Sequence, residues 1–124
     1  MTDSPILLSR DPDLLDDVLR LASVAGSDPF VVGTPAEARR WWGSAPLVLV
    51  GADLAAEAVP AGLGRRRGVV VVSRTEPTVQ VWHAALDLGA EEVVQLPADE
   101  APLVSLLVAG SRPGAARARV VGVV

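Results

Sequence analysis

The feature that most constrains this chain is a set of short apolar runs with no polar residue inside them. Residues 69–72 read VVVV and residues 47–50 read LVLV. A strand with one wet face alternates apolar and polar side chains, whereas a strand covered on both faces does not. β-Branched side chains also suit an extended backbone better than a helix. These runs therefore predict strands of a sheet that is buried on both sides. Residues 6–8, 30–32 and 92–96 read as further strands of the same sheet.

Between the strands lie segments with helix signals. Asp11 offers an acceptor for free N–H groups, and Pro12 suits a first helical position. Leu14, Val18, Leu21 and Ala25 then recur at helical spacing, and Gly26 follows them. Thr34-Pro35-Ala36-Glu37 has the form of a capping box and predicts a helix ending near Gly43. Residues 53–59 predict a short helix, residues 78–88 a helix stopped by Gly89, and residues 99–109 a last one. Strand and helix thus alternate five times. Right-handed crossovers restrict this order to a doubly wound α/β fold with a five-stranded parallel sheet, flavodoxin-like in class.

Composition narrows the function. A length of 124 residues suits one domain. Although 50% of the residues are hydrophobic, no apolar run approaches the ~20 residues of a membrane span. The N-terminal MTDSP lacks the basic and apolar regions of a secretion signal. Cysteine is absent, which excludes disulfides and thiolate metal sites and makes the cytoplasm the expected location. A net charge of −4 gives no general attraction to nucleic acid. Residues 110–114, GSRPG, read as a linker, and residues 118–124, ARVVGVV, as a further strand. The expected organisation is one α/β domain over 1–110, then a linker and the first strand of a C-terminal domain over 111–124. An edge-pairing or disordered tail is the alternative.

Residues 85–97, ALDLGAEEVVQLP, resemble the receiver domain of two-component signalling. There a helix ends in Gly-Ala, an acidic pair follows, and a strand ends in Lys-Pro. Ile6-Leu7-Leu8 before Asp11-Pro12 resembles the receiver opening, and Ser73 matches the switch hydroxyl after the fourth strand. The resemblance implies the positions of an acidic pair that holds Mg²⁺, an aspartate nucleophile and a lysine. Carboxylates bind the hard cation, and the cation and lysine neutralise the transferred phosphoryl group. Here those positions carry Ser9 and Arg10 with Asp11 beside them, then Gly51, then Leu96, and the chain contains no lysine. Phosphotransfer is therefore not expected, nor is a metal or cofactor. Asp53, two residues late, reads as a helix N-cap rather than a displaced acceptor.

A narrower resemblance is to the degenerate receivers at the N-terminus of the CpaE/TadZ pilus-assembly proteins and of the septum site-determining protein Ssd. Residues 81–90, VWHAALDLGA, and the ending RVVGVV carry it. It implies a following MinD/ParA-like ATPase domain. It also implies a non-catalytic role in localisation, by dimerisation or by docking to septum or pilus machinery. The competing readings are a working receiver with a displaced acceptor and a small-ligand binder at the C-terminal ends of the strands.

The remaining candidates are surface residues. Val79, Trp82 and Leu86 share a helical stripe, for which core packing is the first expectation and a partner interface the second. Leu103, Leu106 and Leu107 on the next helix extend that candidate interface. Trp41 and Trp42 are adjacent, so they point about 100° apart on a helix and one of them is a candidate partner anchor. His83 reads as a helix-surface residue, Gly62-Leu63-Gly64 as a turn, and Arg65-Arg66-Arg67 as a solvated loop.

Overall fold

The computed structural model describes residues 4–111. In chain order the elements are β1 (Ile6–Leu8), α1 (Pro12–Val24), β2 (Phe30–Val32), α2 (Pro35–Ala38), β3 (Val48–Gly51), α3 (Ala52–Ala58), β4 (Val69–Ser73), α4 (Val79–Leu88), β5 (Glu92–Gln95) and α5 (Glu100–Ser111). The five strands form one parallel sheet in the order β2-β1-β3-β4-β5. This is the doubly wound, flavodoxin- and receiver-like α/β fold, with the strand order reversing between β1 and β3.

Two cores follow from the period-2 geometry of the strands. Ile6, Leu8, Val48, Val50, Val69 and Val71 face one side, where they pack on Ala38, Leu54, Ala58, Val81, Ala85 and Leu88. Leu7, Leu49, Val70, Val72 and Val94 face the other, where they meet Leu14, Val18, Leu21, Leu103 and Leu107 of α1 and α5. Every second residue thus serves the opposite core, which is why the runs carry no polar position.

Helix boundaries follow their caps. The Asp11 carboxylate accepts from the N–H groups of Asp13 and Leu14 and opens α1 behind Pro12. Thr78 caps α4 by accepting from the Val81 N–H. Gly89 ends α4 in the left-handed region at φ 74°, and a Cβ there would lie 2.7 Å from the Arg65 Cγ. Both backbone and packing therefore require glycine at this position.

Several expectations are corrected. The helix begun at Thr34 does not reach Gly43: α2 closes at Ala38, and turns carry the chain to Ser44. The reason is Trp42, whose side chain is buried in the first core while its indole N–H donates to the Gly64 carbonyl at 2.7 Å. Gly110 and Ser111 belong to α5 rather than to a linker. The expected strand at 118–124 lies outside the described residues.

Candidate functional site

In an open α/β sheet the reactive crevice lies beyond the C-terminal ends of the strands, where the order reverses. Here that place is a cleft of about 350 Å³ lined by Asp11, Leu14, Asp53, Ser73, Arg74 and Thr78 among others. Of the receiver-like positions Asp11 and Ser73 line it, and Ser9 and Gly51 stand against its Asp53 wall.

Asp53 stands in the first turn of α3, whose N-cap is Gly51 and lacks a side-chain cap bond. The expected N-cap role is thus corrected. Its carboxylate reaches instead across to the loop after β1, accepting from the Ser9 hydroxyl at 2.9 Å and from the Arg10 N–H at 2.8 Å. The buried Ser9 hydroxyl also accepts from the Asp11 N–H at 3.1 Å. Asp53 is therefore a strut between the β1–α1 loop and α3, with both carboxylate oxygens engaged. Asp11 is committed to capping α1.

Gly51 ends β3 opposite Val72. A Cβ built on it would collide with Asp53 Oδ1, would lie 2.7 Å from Leu14 Cδ2 and would lie 2.9 Å from the Ser9 Cβ. The acceptor position has thus been filled from three directions, so there is no room for the side chain that a nucleophile needs. Leu14 contributes an apolar methyl where a hard cation would require oxygen. The donor set does not fit Mg²⁺.

The switch position is likewise engaged. The buried Ser73 hydroxyl donates to the Thr75 carbonyl at 2.6 Å and accepts from the Thr75 N–H at 3.2 Å. Arg74 ties the following loop to α1 through Asp17 at 3.0 Å and Asp13 at 3.5 Å. Leu96, in the lysine position, is buried in the second core.

The outer face of α4 differs in character. Val79 is 67% exposed, Trp82 48% and Leu86 67%. They follow one another at i, i+3 and i+7, forming one apolar stripe on the solvent side of the helix. The first expectation, that this stripe packs in the core, is corrected: Val81, Ala84, Ala85 and Leu88 do that work. His83 is exposed beside the stripe. Leu103 and Leu107 are fully buried in the second core and Leu106 is partly buried against it, so Leu103 and Leu107 are removed from the candidate interface. Core geometry explains the choice, since i and i+4 share one helix face.

Trp42 is likewise interior and is not a surface anchor. Trp41 is half-buried, meets Phe30 edge-on with centroids 5.7 Å apart, and carries the Arg40 guanidinium 5.1 Å from its ring centroid. Arg66 is not solvated either. It donates to the carbonyls of Trp42 and Ala45, the latter at 2.7 Å. Burial holds its pKa below the usual arginine range, and the nearby Glu91 opposes that shift. Arg66 thus satisfies turn carbonyls that no strand or helix reaches. Arg65 donates to the Leu86 carbonyl near the end of α4 at 2.9 Å, beside the Gly89 N–H that also reaches it.

A family model described as the Rv3660c-like, CheY-like N-terminal domain matches residues 8–118. The chain belongs to this family. It is 32% identical over 95 residues to the Mycobacterium tuberculosis proteins Rv3660c (strain H37Rv) and MT3760 (strain CDC 1551). That match covers 76% of this chain but 27% of each relative, so the chain spans about a quarter of their length. Among solved structures it resembles a CheY-like response regulator receiver domain protein from Methanospirillum hungatei JF-1. The TM-score is 0.55 at 17% identity, covering 82% of this chain and 88% of the other. The likeness establishes the receiver fold.

Among the described residues no helix is long and apolar enough to cross a membrane. Sequence reasoning missed the Asp53 strut, the role of Leu14 in closing the acceptor position, and the carbonyl-binding arginines. The strut and the closure depend on the approach of α3 to the β1–α1 loop. No local signal announces that approach.

Proposed function

We propose that this domain is a receiver fold that has lost its phosphoryl input and serves as a protein-docking module without a cofactor. The observation that carries the reading is the packing at Gly51, where Asp53, Leu14 and Ser9 occupy the space of an acceptor side chain. A fold with no room for its reaction persists for its surface, and the Val79–Trp82–Leu86 stripe is an unpaired apolar face of the kind that partners use. We further propose that the partner belongs to septum or pilus machinery. On this reading the whole protein is a MinD/ParA-like ATPase that this domain localises to the septum or pole. What supports this finer reading is the resemblance of residues 81–90 to the Ssd stretch, together with the greater length of the relatives.

The test is incubation with acetyl phosphate and Mg²⁺, read by intact mass. An unchanged mass is expected. A stable adduct that disappears in Asp53→Asn would establish a displaced acceptor and overturn the reading. In cells, Trp82→Ala is expected to delocalise the full-length protein while the circular dichroism of the domain stays native.

A further inference from the structure

A basic surface lies at the end of the sheet opposite the cleft. Residues 39–47 lead into β3 and residues 61–68 into β4, so both loops stand at the N-terminal ends of the parallel strands. They carry Arg39, Arg40, Arg65, Arg66 and Arg67. The loops are tied to each other. The Trp42 indole donates to the Gly64 carbonyl, Arg66 to the Trp42 and Ala45 carbonyls, and Arg39 to the Ala61 carbonyl. Two separate stretches of sequence thus present one surface. Arg10, Arg20 and Arg74 lie elsewhere and pair with carboxylates. Arg39, Arg40, Arg65 and Arg67 are exposed, and none of the four has a salt bridge among the described residues. An apolar edge adjoins them. Arg40 lies over Trp41, and Trp41 meets Phe30, which opens β2 at the same end and is 49% exposed. Phe30, Val31 and Trp41, with Ser4, Asp28 and Pro29, line a groove of about 450 Å³. α5 closes at this end too, where a Cβ built on Gly110 lies 2.8 Å from the Leu47 Cβ. The sequence beyond Ser111 adds Arg112, Arg117 and Arg119 and no acidic residue.

We propose that this end of the domain docks on a bilayer surface rich in anionic phospholipid. Guanidinium forks match phosphate oxygens. Exposed aromatic side chains beside them suit the boundary between headgroups and acyl chains. The charge complementarity is local. Asp11, Asp53 and Glu76 line the cleft beyond the other ends of the strands, and a strand such as β4 holds them about 15 Å away. That distance exceeds the Debye length of ~8 Å, so they are screened from a phosphate surface at the arginine end. The carboxylates at the arginine end are Asp28, Asp87, Glu91 and Glu92. Asp28 lies in the groove, and the other three lie on the β5 side, where Glu91 accepts from the Gly68 N–H at 2.6 Å. The face made by the two loops keeps an excess of positive charge. Nucleic acid fits it less well, because bases stack on open aromatic faces and Arg40 already lies over Trp41. A lone phosphate also fits less well, since the arginines are spread over two loops and none of them lines the groove. The inference stands independently of the docking role given to Trp82.

Co-sedimentation of the 124-residue chain with vesicles is the test. Binding is expected to vesicles of phosphatidylcholine with about one-third phosphatidylglycerol at low salt, and release at about 0.5 M salt. Vesicles of phosphatidylcholine alone should bind little. An arginine near an anionic surface contributes about a factor of 5, so Arg40→Ser and Arg67→Ser should each weaken binding about 5-fold. Arg10→Ser removes the same charge at the cleft end and should change binding less than ~2-fold. Arg40 and Arg67 lie in different loops, so a variant that fails to fold leaves the other to decide. Tryptophan emission should move to shorter wavelength on binding. Trp41→Phe should abolish that shift and Trp82→Phe should keep it. Four results would each overturn the inference: no binding to the anionic vesicles at low salt; a loss with Arg10→Ser equal to that with Arg40→Ser and Arg67→Ser; an emission shift that Trp82→Phe removes and Trp41→Phe does not; or displacement from the vesicles by an equal phosphate concentration of a DNA duplex, which would make nucleic acid the partner.

Discussion

Adding one methyl group at Gly51 is the sharpest perturbation of the cleft. Gly51 has φ −66°, which any residue adopts, so Gly51→Ala introduces no backbone strain and the effect is one of packing. The new Cβ meets Asp53 Oδ1, Leu14 Cδ2 at 2.7 Å and Ser9 Cβ at 2.9 Å. None of the three can withdraw without loss. Leu14 is buried in the second core, Ser9 is buried, and Asp53 holds the Ser9 and Arg10 bonds. Overpacking of this kind costs about 1–3 kcal/mol. Displacing the Asp53 strut adds about 1 kcal/mol. Stiffening of the unfolded chain returns about 0.4–1 kcal/mol. The net loss is about 1–3.6 kcal/mol, centred near 2 kcal/mol, out of a total of roughly 5–15 kcal/mol. With a urea m-value of about 1–3 kcal/mol/M, a loss near 2 kcal/mol should lower the midpoint by about 0.7–2 M at unchanged m. A midpoint within ~0.2 M of wild type would refute the claim that the acceptor position is sterically closed. Gly51→Asp should be less stable still and should gain no phosphate.

Four further outcomes are expected. Trp42→Phe loses the indole bond to Gly64 and should destabilise by about 1 kcal/mol, read as a shift in thermal midpoint. Arg66→Met leaves the Trp42 and Ala45 carbonyls without their guanidinium and should cost about 1–3 kcal/mol in urea denaturation. Gly89→Ala faces both a positive φ and the Arg65 stem, and should cost more than ~1 kcal/mol by the same measurement. Trp82→Ala, on an exposed stripe, should change the urea midpoint by less than Trp42→Ala does, since burial rather than size sets the cost.

The sheet was legible because its signal is local and redundant. The central runs 47–50 and 69–72 lack polar residues, α1 and α4 open on side-chain caps, and Gly26 and Gly89 punctuate where a left-handed residue is needed. Handedness restricted the arrangement to a doubly wound sheet, and the order β2-β1-β3-β4-β5 is what the structure adds. The site was legible only as a list of substitutions. That Ser9, Gly51 and Leu96 replace reactive residues can be read from the chain, but what fills the vacated volume cannot. Asp53 and Ser9 lie 44 residues apart, and Leu14 enters from a third element. The helix begun at Thr34 was read as running to near Gly43 because a capping box announces a beginning and says nothing of an end. There the pull of Trp42 into the core, a tertiary effect, overrides the helical pattern. The α4 stripe was ambiguous for a related reason: exposure depends on whether a neighbouring element covers the face, and none of the described elements does.

The Asp53 strut also bears on how such a sequence changes over time. Recovering an acceptor would require an aspartate at Gly51, a smaller residue in place of Leu14, removal or redirection of Asp53, and a new pair of carboxylates where Ser9 and Arg10 stand. Taken singly, the first of these steps meets a steric barrier before any activity could reward it, and the third releases the loop that Asp53 holds. In a cleft packed this way no single substitution restores a switch, whereas the exposed helix faces stand outside that constraint.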